Sequence, residues 1–457
     1  MFGKTNHIHF VGIGGIGMSG MAELLHNLNF VISGSDAMQS DRTEHLTSLG
    51  IQIFNGHSAN NVTGCDVLVY SSAVKLDNSE IIEAQRQNIP VIRRAEMLGE
   101  LLKVKPISIG ISGTHGKTTT SSMLGIILSE AQLNPTLVIG GIVNDIQSNS
   151  LSGSGDIIVV EADEFDRTFL SLQATMVAIT SLELEHLDCY ENMTDLQTAF
   201  SQFANTVPFY GKVVVCIDEK NVQNIIPNIK RPMTSYGFSS QADFHIRNDK
   251  SKDNMVEFEI YHRDNIFNIR LNVPGIHNIK NATAAFALAY ELEIDPKLII
   301  QGLEKYSGVR RRFEIKNESS NNILFVDDYA HHPSEVEATL QAAKSGWNRR
   351  VISIFQPHLF TRTRDFHQDF ARAFLQSDIL IVTSIYPARE KQIEGVTGEM
   401  IVNDAQTFGH KNVYYVENNE KMSELIKLIS KPGDMIITMG AGDIWKQNDI
   451  LFKEVNA

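Results

Sequence analysis

Short apolar runs alternate with longer stretches of helical periodicity almost from end to end of the 457-residue chain. The runs fall at 8–11, 30–32, 67–70, 107–111, 157–160, 213–217, 323–326, 351–355, 379–382 and 435–438. Strands covered on both faces read as continuous apolar runs, and parallel neighbours need a crossover helix between them. The pattern therefore prescribes an α/β protein built on parallel sheets. The rhythm restarts at Lys103-Val104-Lys105-Pro106 and again near Tyr306-Ser307-Gly308, which divides the chain into 1–104, 105–308 and 309–457. Three domains suit the length, because a single core stops growing at about 250–300 residues. Between 218 and 272 the pattern shortens to alternation, as in Met255-Val256-Glu257-Phe258-Glu259-Ile260, and predicts antiparallel strands appended to the middle domain.

Composition narrows the function. Apolar residues make up 42% and charged residues 21% of the chain, as in a well-packed globular enzyme. A formal net charge of −14 disfavours nucleic acid as a partner, so a phosphorylated substrate must be held by local amides, a few cations or a metal. Cys65, Cys189 and Cys216 are far apart and in no CxxC arrangement, which argues against disulfides or structural zinc and for a reducing cytoplasm. No signal-like segment opens the chain and no apolar run approaches the ~20 residues that span a bilayer, so no membrane span is expected.

Two glycine clusters each follow a predicted strand and open a predicted helix. In the first, Gly12, Gly14, Gly15 and Gly17 follow the run at 8–11, with Asp36 ending the next strand. Glycines let the backbone approach a diphosphate, and a helix amino terminus offers it free N–H groups. A nicotinamide dinucleotide, another nucleotide diphosphate, or a tight turn with no ligand all fit that spacing. The second is Gly113-Thr114-His115-Gly116-Lys117-Thr118-Thr119. A standard G-x-x-x-x-G-K-[ST] loop would need glycine where Ile111 stands, but the part that does the chemistry is intact. Amides can wrap a triphosphate, Lys117 can neutralise its outer oxygens, and the Thr118 hydroxyl can ligate Mg2+ or Mn2+. This is an ATP site. A divalent ion also needs carboxylates at neighbouring strand ends, and Glu161 in Glu161-Ala162-Asp163-Glu164 is the best placed. His186, within Glu183-Leu184-Glu185-His186-Leu187-Asp188, is a metal or phosphate ligand or an ordinary structural histidine.

With these motifs in view, the chain resembles the Mur ligase family, ATP-dependent amide-forming enzymes of peptidoglycan synthesis that share the GTxGKT/S loop. The likeness runs over nearly the whole chain. Phe10 to Gly20, Ser33-Gly34-Ser35-Asp36, Ser71-Ser72-Ala73 and Arg93-Arg94-Ala95-Glu96 look like the alanine-adding branch. So do Pro274-Gly275-Ile276-His277-Asn278, Arg311-Arg312-Phe313, Asp327-Asp328-Tyr329-Ala330-His331-His332-Pro333 and Phe355-Gln356-Pro357-His358. The resemblance implies a Rossmann-like amino-terminal domain for the UDP-sugar, a central P-loop ATPase-type domain and a Rossmann-like carboxy-terminal domain for the amino acid. It recasts Gly12, Gly14, Gly15 and Gly17 as the uridine diphosphate loop, with Asp36, Ser71, Ser72, Ala73 and Arg93 around that substrate. Lys117 and Thr118 match the family's loop lysine and threonine, and Glu161 and His186 its metal-binding pair. Asn278 and Asn281 sit where the family contacts adenine, Arg311 or Arg312 where an arginine meets the ATP phosphates, and Asp328 with His331 where the third domain closes on the nucleotide.

Two departures stand out. Several relatives carry a carbamylated lysine about fifteen residues after the histidine that matches His186, whereas no lysine lies between Leu187 and Gly211. The segment Tyr386-Pro387-Ala388-Arg389-Glu390-Lys391-Gln392 fits the family loop only in its first half. The substrates implied are UDP-N-acetylmuramate and L-alanine, joined through an acyl phosphate, by a monomer or homodimer. A ligase that recycles a preformed tripeptide onto the same UDP-sugar is the nearest alternative, and an NAD-dependent oxidoreductase is an alternative of another class.

Overall fold

The computed structural model describes residues 5–456 apart from 147, 184–188 and 389. Its fold is three-domain α/β, with one sheet for each domain. Cα packing groups the chain into two compact units, Met1–Arg247 with Glu259–Ile269 and Lys280–Tyr306, and Asn248–Phe258 with Arg270–Ile279 and Ser307–Ala457.

The amino-terminal sheet comprises β1 (His7–Val11), β2 (Val31–Asp36), β3 (Gln52–Asn55), β4 (Val67–Tyr70) and β5 (Val91–Arg93), linked by α1 (Ile16–Asn27), α2 (Asp41–Ser48) and α3 (Ser79–Arg86), and followed by α4 (Arg94–Leu102). Its order is β3-β2-β1-β4-β5 and every pair is parallel. Strand order therefore reverses beside β1, which places the loops after β1 and β4 on either side of one crevice.

The central sheet begins with β6 (Ile107–Ser112), α5 (Lys117–Glu130), β7 (Thr136–Val143), β8 (Ser148–Leu151), β9 (Ile157–Glu161) and β10 (Met176–Ile179). It continues through α6 (Met193–Thr206), β11 (Lys212–Cys216), α7 (Lys220–Ile225), β12 (Met233–Gly237), β13 (Phe244–Lys252), β14 (Met255–His262), β15 (Asn265–Leu271), α8 (Ile276–Glu291) and α9 (Pro296–Lys305). The order is β15-β14-β13-β12-β11-β10-β6-β9-β7-β8, with β6 between β9 and β10. Burial follows position. β10 is buried at every residue, whereas β14 alternates, as expected for a strand with one wet face. The two-residue connections after β13 and β14 hold Asp253 at φ 50° and Arg263 at φ 53°, and loops so short leave only antiparallel pairing, the arrangement expected from the alternation. Under the central strands Phe169 packs on Phe200 and Phe203 with ring centroids 5.0 and 4.8 Å away.

The carboxy-terminal sheet holds β16 (Glu314–Glu318), β17 (Leu324–Asp328), α10 (Pro333–Gly346), β18 (Val351–Phe355), α11 (Phe360–Ala373) and β19 (Ile379–Thr383). After them come α12 (Glu399–Thr407), β20 (Val413–Val416), α13 (Asn419–Ile429), β21 (Met435–Met439) and α14 (Trp445–Asn456). In the order β16-β17-β21-β18-β19-β20, β16 alone runs antiparallel to its neighbour. Separate apolar clusters cover the two faces, one around Phe355, Phe370 and Phe374, the other around Phe325, Ile354 and Ile436. Among the described residues no helix is long and apolar enough to cross a membrane.

Candidate active site

β6 ends at Ser112, and the chain turns into α5 through two glycines with left-handed backbone, Gly113 at φ 133° and Gly116 at φ 83°. Neither tolerates a side chain. A Cβ on Gly113 would lie 2.2 Å from Thr180 Oγ1, and one on Gly116 would lie 2.4 Å from Asn281 Oδ1. The loop is pinned to the end of β10: Thr114 N donates to Ser181 O at 3.1 Å, His115 N to Ser181 Oγ at 2.9 Å, and Glu183 N to Thr114 Oγ1 at 2.8 Å. His115 Nε2 also lies 3.3 Å from Glu183 Oε2. Held this way, the turn leads into the amino terminus of a 14-residue helix, where free N–H groups and the helix dipole favour an anion. Thr118 and Thr119 stand in its first turn. Asn281, on α8, borders the same loop and takes a 3.4 Å hydrogen bond from Thr120 Oγ1.

Lys117 curls back over the loop it starts from. Its Nζ donates to Gly113 O at 2.6 Å and Thr114 O at 3.3 Å, and pairs with Glu164 Oε2 at 2.9 Å. Glu161, at the end of β9, accepts from Gly140 N at 2.6 Å and from the Thr118 hydroxyl. Burial pushes its carboxyl above the usual carboxylate range, while those two hydrogen bonds and the Lys117 charge pull the other way. A hydroxyl and a carboxylate oxygen brought together at the head of a phosphate-type loop are the hard donors that Mg2+ takes. His186, the third expected ligand, lies outside the described residues.

The first glycine loop occupies the crevice between β1 and β4. Gly12 has φ 80°, and a Cβ there would lie 3.1 Å from Ser71 Cβ. Gly14 N donates to Asp36 Oδ2 at 2.8 Å, and Arg42 Nε donates to Gly14 O at 2.7 Å. Ser71 is partly buried beside the loop, while Ser72 and Ala73 are exposed. Gly15 lies within the same turn, its N–H bonded to Gly12 O at 3.3 Å. Arg93 is turned to Tyr70, its Nε 3.2 Å from the phenol oxygen. Besides Arg42, Arg94 lies against the loop: its Nη1 would lie 2.5 Å from a Cβ on Gly17. Only the adjacency of two arginines in Arg93-Arg94 signalled it.

Other expected residues fall in the second unit. Arg311, at φ 62°, is bound into its own domain: Nε to Asp327 Oδ2 at 3.0 Å, Nη2 to Gly440 O at 2.5 Å and Nη1 to Gly442 O at 3.3 Å. Arg312 pairs with Glu335 at 3.3 Å and lies over the Tyr329 ring. Asp328 accepts from Phe313 N and Ala330 N, both at 2.7 Å, and burial pushes its carboxyl up to about 6 despite Arg312 and those two donors. His331 Nδ1 lies 3.0 Å from both Tyr329 O and Glu335 Oε2. Asn278, in the first turns of α8, donates to Pro274 O at 2.6 Å.

Comparison with known families gives three consecutive matches: "Mur ligase family, catalytic domain" over residues 7–106, "Mur ligase middle domain" over 111–289, and "Mur ligase, glutamate ligase domain" over 311–442. The chain belongs to the Mur ligase family. A UDP-N-acetylmuramate--L-alanine ligase of Syntrophus aciditrophicus is 47% identical, covering 96% of this chain and 92% of that one. The protein of the same name from Geobacter sp. strain M21 is 45% identical, covering 100% and 99%. Among solved structures, the UDP-N-acetylmuramate-alanine ligase of Thermotoga maritima aligns over 98% of both chains at 30% identity with a TM-score of 0.83. A murein peptide ligase of Psychrobacter arcticus shares the fold at 22% identity and a TM-score of 0.72. Against this Mur ligase background, sequence reasoning passed over Glu164, the carboxylate that holds Lys117. It reaches the lysine from the turn after β9, a return that residue spacing does not show.

Proposed function

We propose that this Mur ligase joins L-alanine to the lactoyl carboxylate of UDP-N-acetylmuramate at the expense of ATP, in the cytoplasm. The observation that carries this reading is the Lys117 loop at the switch point of the central sheet, with a second glycine loop of different geometry at the switch point of the amino-terminal sheet. Two nucleotide cradles suit two nucleotide substrates. Residues 1–104 hold the UDP-sugar, 105–308 hold ATP, and 309–457 supply the amino-acid site.

A carboxylate is unreactive toward an amine near neutrality, since its carbon is electron-rich and oxide is a poor leaving group. Its oxygen therefore attacks the γ-phosphorus of ATP, the bond from that phosphorus to the β–γ bridging oxygen breaks, and ADP leaves. The amine nitrogen of alanine then adds to the acyl carbon of the acyl phosphate, phosphate departs with the bonding pair, and the amine proton passes to phosphate or solvent. No protein nucleophile is needed. Two anions must meet in the first step, so Lys117, the loop amides and Arg311 or Arg312 stabilise charge gathering on the phosphoryl oxygens. Holding the reactants in line contributes on the order of 7–11 kcal/mol. Thr118 and Glu161, with His186, would hold a magnesium ion, which when bound neutralises phosphate charge. Asn278 and Asn281 serve the adenine, and Asp328 and His331 the closing face of the third domain.

Phosphate release assayed across a panel of amines tests the assignment. Turnover should require ATP, UDP-N-acetylmuramate and L-alanine together. Release that a preformed tripeptide supports and alanine does not would assign the chain to recycling instead.

A further inference from the structure

Glu164 has no place in the scheme above, yet its side chain is 2% exposed and its Oε2 lies 2.9 Å from the Lys117 ammonium. Its other oxygen, Oε1, has no hydrogen-bond partner among the described residues. Leaving one oxygen of a buried carboxylate unsatisfied costs stability, so its retention calls for a functional account. The geometry provides one. Tyr190 Oη donates to Glu164 O at 2.7 Å and fixes the turn from which the carboxylate projects. Lys117 is thereby drawn onto the carbonyls of Gly113 and Thr114, within the loop that a triphosphate would occupy.

We infer that Glu164 is a positioning residue acting through Lys117: it orients the ammonium and makes the γ-phosphate compete for it, so that triphosphate affinity is given up in exchange for alignment. The inference rests on the nucleotide reading of the loop. Like charges a few ångströms apart in a partly desolvated site repel, so a neutral residue here should favour the incoming phosphates. The same change releases the lysine from its fixed position, and turnover should suffer.

Isothermal titration of full-length wild type, Glu164→Gln and Glu164→Asp with adenylyl-imidodiphosphate and with ADP, in magnesium buffer, tests this. Glu164→Gln should bind the triphosphate analogue about tenfold more tightly and change ADP affinity by less than about threefold, because ADP lacks the contested phosphate. Its kcat and its KM for ATP should both fall, and Glu164→Asp, which keeps the charge, should stay within about twofold of wild type in triphosphate affinity. Unchanged or weaker triphosphate binding by Glu164→Gln, or an equal shift for ADP, overturns the inference in favour of a structural role. Should circular dichroism show Glu164→Gln unfolded, Glu164→Ala is titrated in its place under the same prediction. Wild type that binds neither nucleotide would defeat the ATP reading itself, which separates the two failures.

Discussion

In the proposed reading, Lys117 and Gly116 carry different halves of the nucleotide site, one the charge and the other the shape. Lys117→Ala removes the only lysine of the loop and should lower ATP-dependent phosphate release by at least about a thousandfold, while UDP-sugar affinity, measured by titration, stays within about twofold. Gly116→Ala puts a Cβ against Asn281 in a left-handed conformation, which costs about 1–2 kcal/mol, and should weaken ATP binding at least about tenfold. Both residues were legible in the sequence because their roles depend on local order. Asp36 was singled out as well, for its place at the end of the second strand, and its carboxylate accepts from the Gly14 amide. Glu80 was not. It is fully buried on α3, accepting from Ser35 Oγ and Asn61 Nδ2, both at 2.5 Å, with His57 Nδ1 at 3.2 Å and His9 Nε2 at 3.9 Å. Burial alone would raise its carboxyl, but these partners outweigh it and lower it from 4.5 to about 2. A depressed carboxyl stabilises the fold above its unfolded pKa and loses that contribution as pH falls from about 4.5 through 2, roughly 3 kcal/mol in all. Denaturation of wild type and Glu80→Gln should therefore show a stability gap at pH 6–7 that shrinks below pH 4.5. A gap independent of pH would mean that the charge contributes nothing.

At the level of elements, most of the strands that were legible are buried on both sides, and β14 was legible instead through its alternation. β6, β9, β10, β11, β17, β18, β19 and β21 lie inside sheets, so their apolar runs are dictated by burial. Among the elements that escaped are edge or short polar pieces: β8 reads Ser148-Asn149-Ser150-Leu151 and β16 reads Glu314-Ile315-Lys316-Asn317-Glu318, and both find their partners through backbone pairing rather than through apolar periodicity. Helix contacts were equally invisible. α9 packs on α5, the helix that begins at the Lys117 loop, through Gly302, where a Cβ would lie 2.6 Å from Ile127 Cα. Because backbone cannot yield as a side-chain tip does, Gly302→Val should destabilise the protein by about 1–3 kcal/mol and raise the KM for ATP as α5 shifts. Thermal melts and initial rates check the two effects separately; an unchanged melting temperature would contradict this packing.

For the whole molecule, the repeating α/β rhythm was enough to anticipate three sheets, since each rests on the same burial logic. Which strand inserts between which was not, because the placing of β21 between β17 and β18 joins segments far apart in sequence. The proposed reaction demands that Arg311, Arg312 and Asp328, in the second unit, meet a nucleotide held by the first. Adding an ATP analogue and UDP-N-acetylmuramate together should therefore change the small-angle scattering profile toward a smaller radius of gyration, and a superimposable profile would refute closure. The chemistry itself is tested most directly by hydroxylamine. With ATP, magnesium and UDP-N-acetylmuramate but no alanine, the account predicts that hydroxylamine captures the activated lactoyl group as a hydroxamate, with ADP and phosphate formed in step. Nucleotide consumption dependent on the UDP-sugar but yielding no hydroxamate would contradict it.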